Sequence, residues 1–242
     1  MTPAFIPARA ENNRTAFASG AAGGTDANIT ALRPRVRRYI EPFLDRFAAL
    51  RLTPNQLSLL SLLFGLACAV LFASRHFFPG ALLLFVSAVL DLADGAVARV
   101  TRRHSCFGAV FDWIVDKYVD AGVLLGIGLS GIPILSSVLP VPAVADSAMV
   151  MLAIIGSLMN TFIKPVVYAE VGFDARDGGK IQDPLEGVGF FGRPETVLVL
   201  CLAGAAFLVV GTGAMAVAVV LIAVGTNLSA VERVLYLYRR LA

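Results

Sequence analysis

Hydrophobic residues along the chain gather into six long blocks separated by short polar breaks, at residues 57–73, 81–100, 107–132, 147–169, 196–210 and 214–235. Each block approaches the roughly 20 apolar residues that an α-helix needs to cross the hydrocarbon of a bilayer. Residues 32–50 (LRPRVRRYIEPFLDRFAAL) follow another period, with Val36, Ile40, Phe43, Phe47 and Leu50 recurring every three or four positions beside several arginines. That pattern predicts an amphipathic helix lying in the membrane interface. Residues 1–30 are rich in Ala, Gly, Asn and Thr and hold no apolar run of signal-peptide length, so they read as a disordered tail. The expected class is therefore all-α integral membrane, divided into a tail (1–30), a juxtamembrane amphipathic helix (31–51) and a six-span domain (52–242). Thr53, Pro54 and Gln56 open the first span with a capping threonine, a proline at the first helical position and a glutamine placed to complete a capping box.

Loop charge orients these spans. Lys and Arg gather at 33–51, 99–103, 164–193 and 233–240, whereas the breaks at 74–80, 133–146 and 211–213 hold Arg75 alone. By the positive-inside rule both termini and the loops after the second and fourth spans are cytoplasmic, as an even span count requires. Composition agrees with a membrane domain: 57% of residues are hydrophobic and 15% charged, and the mean hydropathy is +0.78, against about a quarter charged in a water-soluble domain. The net charge of +3 sits mainly at block ends, which suits an anionic leaflet and not nucleic acid. Cys68, Cys106 and Cys201 lie in or beside apolar blocks and read as small buried hydrophobes.

Against this apolar background the second span ends in DLADGAVARV and the third begins FGAVFDWIVD. Each ionised group placed in such a helix costs about 2.5–3.5 kcal/mol on insertion scales, so several acids together require compensation. Asp91, Asp94 and Ala98 share one helical face, and Gly108, Asp112 and Asp116 share another at four-residue steps. A short connection should make these helices antiparallel neighbours, with the carboxylates at one depth, about 10–20 Å below the cytoplasmic end. Asp120 extends the second stripe by a turn. Four facing carboxylates repel in a low dielectric, and one or two divalent cations, magnesium or manganese, would neutralise them through hard oxygen ligands. Gly95, Ala98 and Gly108 leave room beside the backbone, and Arg99 offers a planar cation suited to phosphate. Together these features point to a phosphorylated substrate held on metal.

At these residues the chain resembles the CDP-alcohol phosphotransferase family, whose pattern D-x2-D-G-x2-A-R-x8-G-x3-D-x3-D is met by Asp91, Asp94, Gly95, Ala98, Arg99, Gly108, Asp112 and Asp116 at every spacing. The resemblance implies a phospholipid-biosynthetic transfer of a phosphatidyl or archaetidyl group from a CDP-linked lipid to an alcohol, with release of CMP, by a membrane homodimer. It implies that Asp91, Asp94, Asp112 and Asp116 hold two Mg2+ or Mn2+ ions and that Asp116 takes the acceptor proton. It further implies that Gly95, Ala98, Arg99 and Gly108 lie against the CDP-lipid. Asn55, Ser58 and Ser105 match donor-binding positions of phosphatidylinositol phosphate synthase-like relatives, although Asn55 and Ser105 equally suit helix starts.

The acceptor side resembles those relatives in part. Arg193 and Glu195 match an R-x-E-R element in which Thr196 stands where the second arginine would be, and Lys164 lies near an expected arginine. Lys164 and Arg193 are accordingly the candidate acceptor-binding residues, for a polyol phosphate such as inositol phosphate or glycerol phosphate. Serine, choline or another alcohol is the alternative within the family. A divalent-metal transporter is the rival of another class, since intramembrane acids also line ion paths. It explains the acids but not Arg99.

Overall fold

The computed structural model describes residues 52–101, 105–172, 176–177, 180–181, 185 and 187–241. The tail at 1–30 and the interfacial helix at 31–51 lie outside the described residues. Helix α1 (Pro54–Ala73) starts as the local signals predict: Gln56 N donates to Thr53 Oγ1 at 3.3 Å and Thr53 N to Gln56 Oε1 at 2.9 Å, closing the capping box ahead of Pro54. Its buried positions Leu57, Ser61, Gly65, Cys68 and Phe72 follow a helical period, while Leu59, Leu63, Leu66 and Val70 remain exposed. An apolar residue on both faces is the pattern of a helix whose outer face meets lipid.

Helices α2 (Phe77–Val100), α3 (Cys106–Leu129), α4 (Val144–Glu170), α5 (Arg193–Val210) and α6 (Thr212–Leu241) follow. All six lie within a few residues of the hydrophobic blocks. Five of them, all except α3, are long and apolar enough to cross a membrane, while α3 carries Asp112, Asp116, Lys117 and Asp120 among its 24 residues. Between α4 and α5 the two-residue strands β1 (Arg176–Asp177) and β2 (Lys180–Ile181) pair antiparallel, a detail the all-α expectation lacked.

The helices close into a ring. The principal contacts run α3 to α1, α1 to α2, α2 to α5, α5 to α6, α6 to α4, and α4 back to α3. Small residues set the close approaches. A Cβ on Gly126 of α3 would overlap the Ala69 carbonyl of α1, one on Gly65 would lie 2.6 Å from Val119, and one on Gly204 of α5 would overlap Ala81 of α2. Ser61 and Ser87 tie α1 to α2 reciprocally, Ser61 Oγ donating to Ser87 O at 2.9 Å and Ser87 Oγ to Ser61 O at 2.8 Å. One apolar cluster, including Phe72, Phe77, Leu124, Val150, Leu200 and Met215, draws on every helix.

Helices α2 and α3 were expected to be antiparallel neighbours with facing carboxylates; three of those carboxylates do meet, but both helices make their main contacts with α1 and not with each other. Gly65 and Ser61 make α1 slim enough to lie between them, which leaves the acidic ends of α2 and α3 facing across a gap.

Candidate active site

Packing sets the direction of the acids. On α2, Leu90, Ala93, Ala96 and Val97 bury against Leu57 of α1 and fix the rotation of the helix, so that Asp91 comes to the interior edge. On α3, Val115, Val119 and Val123 form the buried stripe, and Asp112, Asp116 and Asp120 run one position away from it. Asp91, Asp112 and Asp116 each present a carboxylate oxygen, and these oxygens lie within 4.8 Å of one another. A shared cation at hard-ligand distances of about 2.0–2.6 Å fits between oxygens so spaced, and three carboxylates are the donor set such cations take.

The fourth motif aspartate stands apart from that trio. Asp94, 5% exposed, accepts a 2.5 Å hydrogen bond at Oδ2 from Ser58 Oγ. Ser58 thereby enters the site through Asp94. Close by, Ser105 caps α3, its Oγ accepting from Gly108 N at 2.9 Å. A Cβ on Gly108 would come within 2.9 Å of Ser105 Oγ and 3.0 Å of Asn55 Oδ1, so the Asn55 and Ser105 oxygens converge over the bare Gly108 backbone. Three of the candidate donor-binding residues, from two helix starts, thus form one polar cradle. Gly95 and Ala98 are partly buried on α2, and the side chain of Arg99 lies outside the described residues.

Across the gap, Arg193 at the first turn of α5 reaches three acids. Its Nη1 lies 2.6 Å from Asp91 Oδ2, its Nη2 2.9 Å from Asp116 Oδ1 and its Nε 3.2 Å from Asp120 Oδ1. Asp120, 5% exposed, is held at Oδ2 by Lys117 Nζ at 2.7 Å, and Lys117 Nζ also donates to Thr161 Oγ1 of α4 at 3.0 Å. Lys164, the other candidate acceptor residue, lies one turn beyond Thr161, partly buried. Charge-assisted contacts of this kind are shorter and stronger than neutral ones, and partial burial reduces their screening.

The loop entering α5 is clamped from α6. Arg233, 6% exposed, donates from Nε to Val188 O at 2.9 Å and from Nη1 to Asn160 O. Asn160 Nδ2 donates to Phe191 O at 2.6 Å, and Phe191 N to Ser229 Oγ at 3.2 Å. Gly189 has φ +91, and a Cβ there would overlap Ser229, so this turn needs glycine. Sequence reasoning missed Thr161 and the Arg233 clamp as parts of the site. The available signal was an arginine beside Glu232 in the last apolar block, the first of the basic residues at 233–240.

Comparison with known proteins agrees with this geometry. The model of the family described as CDP-alcohol phosphatidyltransferase matches residues 51–227. An archaetidylinositol phosphate synthase of Pyrococcus horikoshii is 36% identical over 104 residues, covering 43% of this chain and 55% of that protein. One from Methanothermobacter thermautotrophicus is 26% identical over 216 residues, covering 89% and 97%. The chain thus spans about half of the first relative and nearly all of the second. The Mycobacterium tuberculosis phosphatidylinositol phosphate synthase, solved with CDP-DAG bound, has the same fold at a TM-score of 0.65 and 22% identity, over 83% of this chain and 94% of that one. The same enzyme with manganese and citrate superposes at a TM-score of 0.64 and 22% identity, over 81% and 88%. With the family model covering most of the described helices and the full acid motif, the chain belongs to the CDP-alcohol phosphatidyltransferase family of transferases.

Proposed function

We propose that this protein transfers a phosphatidyl or archaetidyl group from a CDP-linked lipid to inositol phosphate, releasing CMP. The observation that carries the reading is the meeting of Asp91, Asp112 and Asp116 across the α2–α3 gap, within reach of a cation and beside a polar cradle. Names of relatives support the acceptor: the two archaeal relatives and the mycobacterial neighbour are synthases of inositol phosphate lipids. The basic residues Arg193, Lys117 and Lys164 supply charge on the side where a phosphorylated acceptor would enter.

Asp91, Asp94, Asp112 and Asp116 would hold Mg2+ or Mn2+, two ions in the full reading, and the bound metal would polarise the pyrophosphate and stabilise its developing charge. The protein's own part is placement. Asn55, Ser58, Ser105 and the Gly108 backbone would seat the cytidine diphosphate, with Gly95 and Ala98 allowing close approach and Arg99 pairing a phosphate. The acceptor hydroxyl oxygen attacks the lipid-bearing phosphorus, the bond from that phosphorus to the bridging oxygen breaks, and CMP leaves with that oxygen. The hydroxyl proton passes to a carboxylate oxygen of Asp116, positioned as general base. Orientation of the two substrates supplies much of the rate, as in other phosphoryl transfers.

The reading includes six spans, with α3 as the sixth and its acids turned inward, both termini and the site at the cytoplasmic side, and a homodimer in the membrane. The lipid tails then remain in the bilayer while the nucleotide and acceptor come from water. Purified protein given CDP-lipid with inositol phosphate, glycerol phosphate, inositol, serine or choline tests the acceptor. CMP release is expected with inositol phosphate; release with serine or choline alone would overturn that assignment.

A further inference from the structure

Arg193 uses each of its three N–H directions on a different acid, and the three acids differ in what else holds them. Asp91 and Asp116 belong to the trio whose oxygens can share a cation. Asp120 is outside that trio, and its second oxygen is already engaged by Lys117, itself engaged by Thr161. The guanidinium therefore stands on both sides of a boundary: two of its contacts are to carboxylates that a shared cation would also use, and the third is not.

Competition follows from charge and from space. Asp116 Oδ1 is buried and lies 2.9 Å from Nη2, so a divalent cation approaching that oxygen meets a like charge at contact distance. A guanidinium that turns away from Asp91 and Asp116 keeps a partner in Asp120, and the five donors of arginine allow it to do so without losing its pairing. Without either Arg193 or a divalent cation, Asp91 and Asp116 would face each other uncompensated inside an apolar bundle, a costly arrangement.

From these contacts we infer that Arg193 is a tethered counter-cation: it neutralises Asp91 and Asp116 in the cation-free protein, yields them when a divalent cation binds, and is kept beside the site by Asp120, which Lys117 and Thr161 hold in place. This inference rests on the cation site of the proposed function. Asp120 is thus a positioning residue, acting through Arg193. Arg193 binding and cation binding oppose each other, so removing the arginine tightens the metal while weakening the metal-free fold.

The test is Mn2+ binding to the purified full chain, followed by the electron paramagnetic resonance of free Mn2+, together with thermal unfolding with and without Mn2+. Arg193→Gln is expected to bind Mn2+ on the order of tenfold more tightly, to unfold at lower temperature without it, and to recover more on adding it. Arg193→Lys, with one point charge in place of a fork, is expected to fall between, and it serves where Arg193→Gln does not fold. In Mn2+-saturated protein the unfolding shifts of Arg193→Gln and Asp120→Asn are expected to be non-additive, because that pair persists. Mn2+ binding that Asp91→Asn abolishes but that both Arg193 variants leave unchanged or weaken would overturn the counter-cation alone, and additive shifts would overturn the tether. Absence of Mn2+ binding, or binding that survives Asp91→Asn, would overturn the cation site and the proposed function with it.

Discussion

Two charged clusters at opposite ends of the helical ring are satisfied in different ways. At the end where α1 gives way to α2, Arg75 donates from Nε to Ser130 O at 2.8 Å, and Asp146 Oδ1 accepts from the backbone N–H groups of Ile134, Leu135 and Ser136 at 3.0, 2.6 and 3.0 Å. Arg75 there is answered by a backbone carbonyl 55 residues on, and Asp146 by backbone N–H groups 10 to 12 residues back together with Ser136 Oγ at 2.5 Å. At the other end Arg193 is answered by Asp91 and Asp120, 102 and 73 residues away, and by Asp116. A charge satisfied by backbone groups fixes a loop. Charges satisfied by one another across a gap between helices bring together carboxylates that could hold a metal ion.

Substitutions should separate the two ends. The largest effect is expected for Asp116→Asn, which keeps shape but removes the base. Turnover by CMP release should fall about 10^2–10^4-fold while the unfolding temperature moves little; turnover near that of the parent would show that Asp116 is not the base. Next comes Arg233→Ala, which strips the donor from the buried carbonyls of Val188 and Asn160. Stability should drop by about 1–3 kcal/mol, and turnover of the folded protein should fall with it, because the loop it clamps leads directly into Arg193. Asp146→Ala, at the opposite end, also removes a multiply bonded group and should lower the unfolding temperature, yet leave the turnover of folded protein unchanged. Equal losses of turnover in Arg233→Ala and Asp146→Ala, measured at matched folded fraction, would erase the distinction between the ends.

How much of this was legible beforehand depended on sequence distance. The start of α1 was readable because Thr53, Pro54 and Gln56 act on one another within a single turn. The acid stripes were readable because Asp91 and Asp94, like Asp112 and Asp116, share a face by helical period alone. The seating of α1 between α2 and α3 was not, since it depends on Gly65 meeting Val119 and Gly126 meeting Ala69, contacts whose partners no local pattern names. For the same reason Arg193 was visible as a basic residue near an acceptor motif, but its grip on Asp91 and Asp120 was not. Asp94 shows the converse. Its motif spacing groups it with Asp91, yet the fold gives it to Ser58, because α1 approaches α2 at that turn.

The central claim is that the acids meeting across the α2–α3 gap form a cation-dependent transferase centre. It is tested most directly by CMP release from CDP-lipid and inositol phosphate after exhaustive chelation, with Mg2+ or Mn2+ then restored, in the parent and in Asp112→Asn. The account predicts loss of release on chelation, its return with either ion in the parent, and little return in Asp112→Asn. Release that continues undiminished in chelator, or an Asp112→Asn protein that responds to the ions as the parent does, would contradict it.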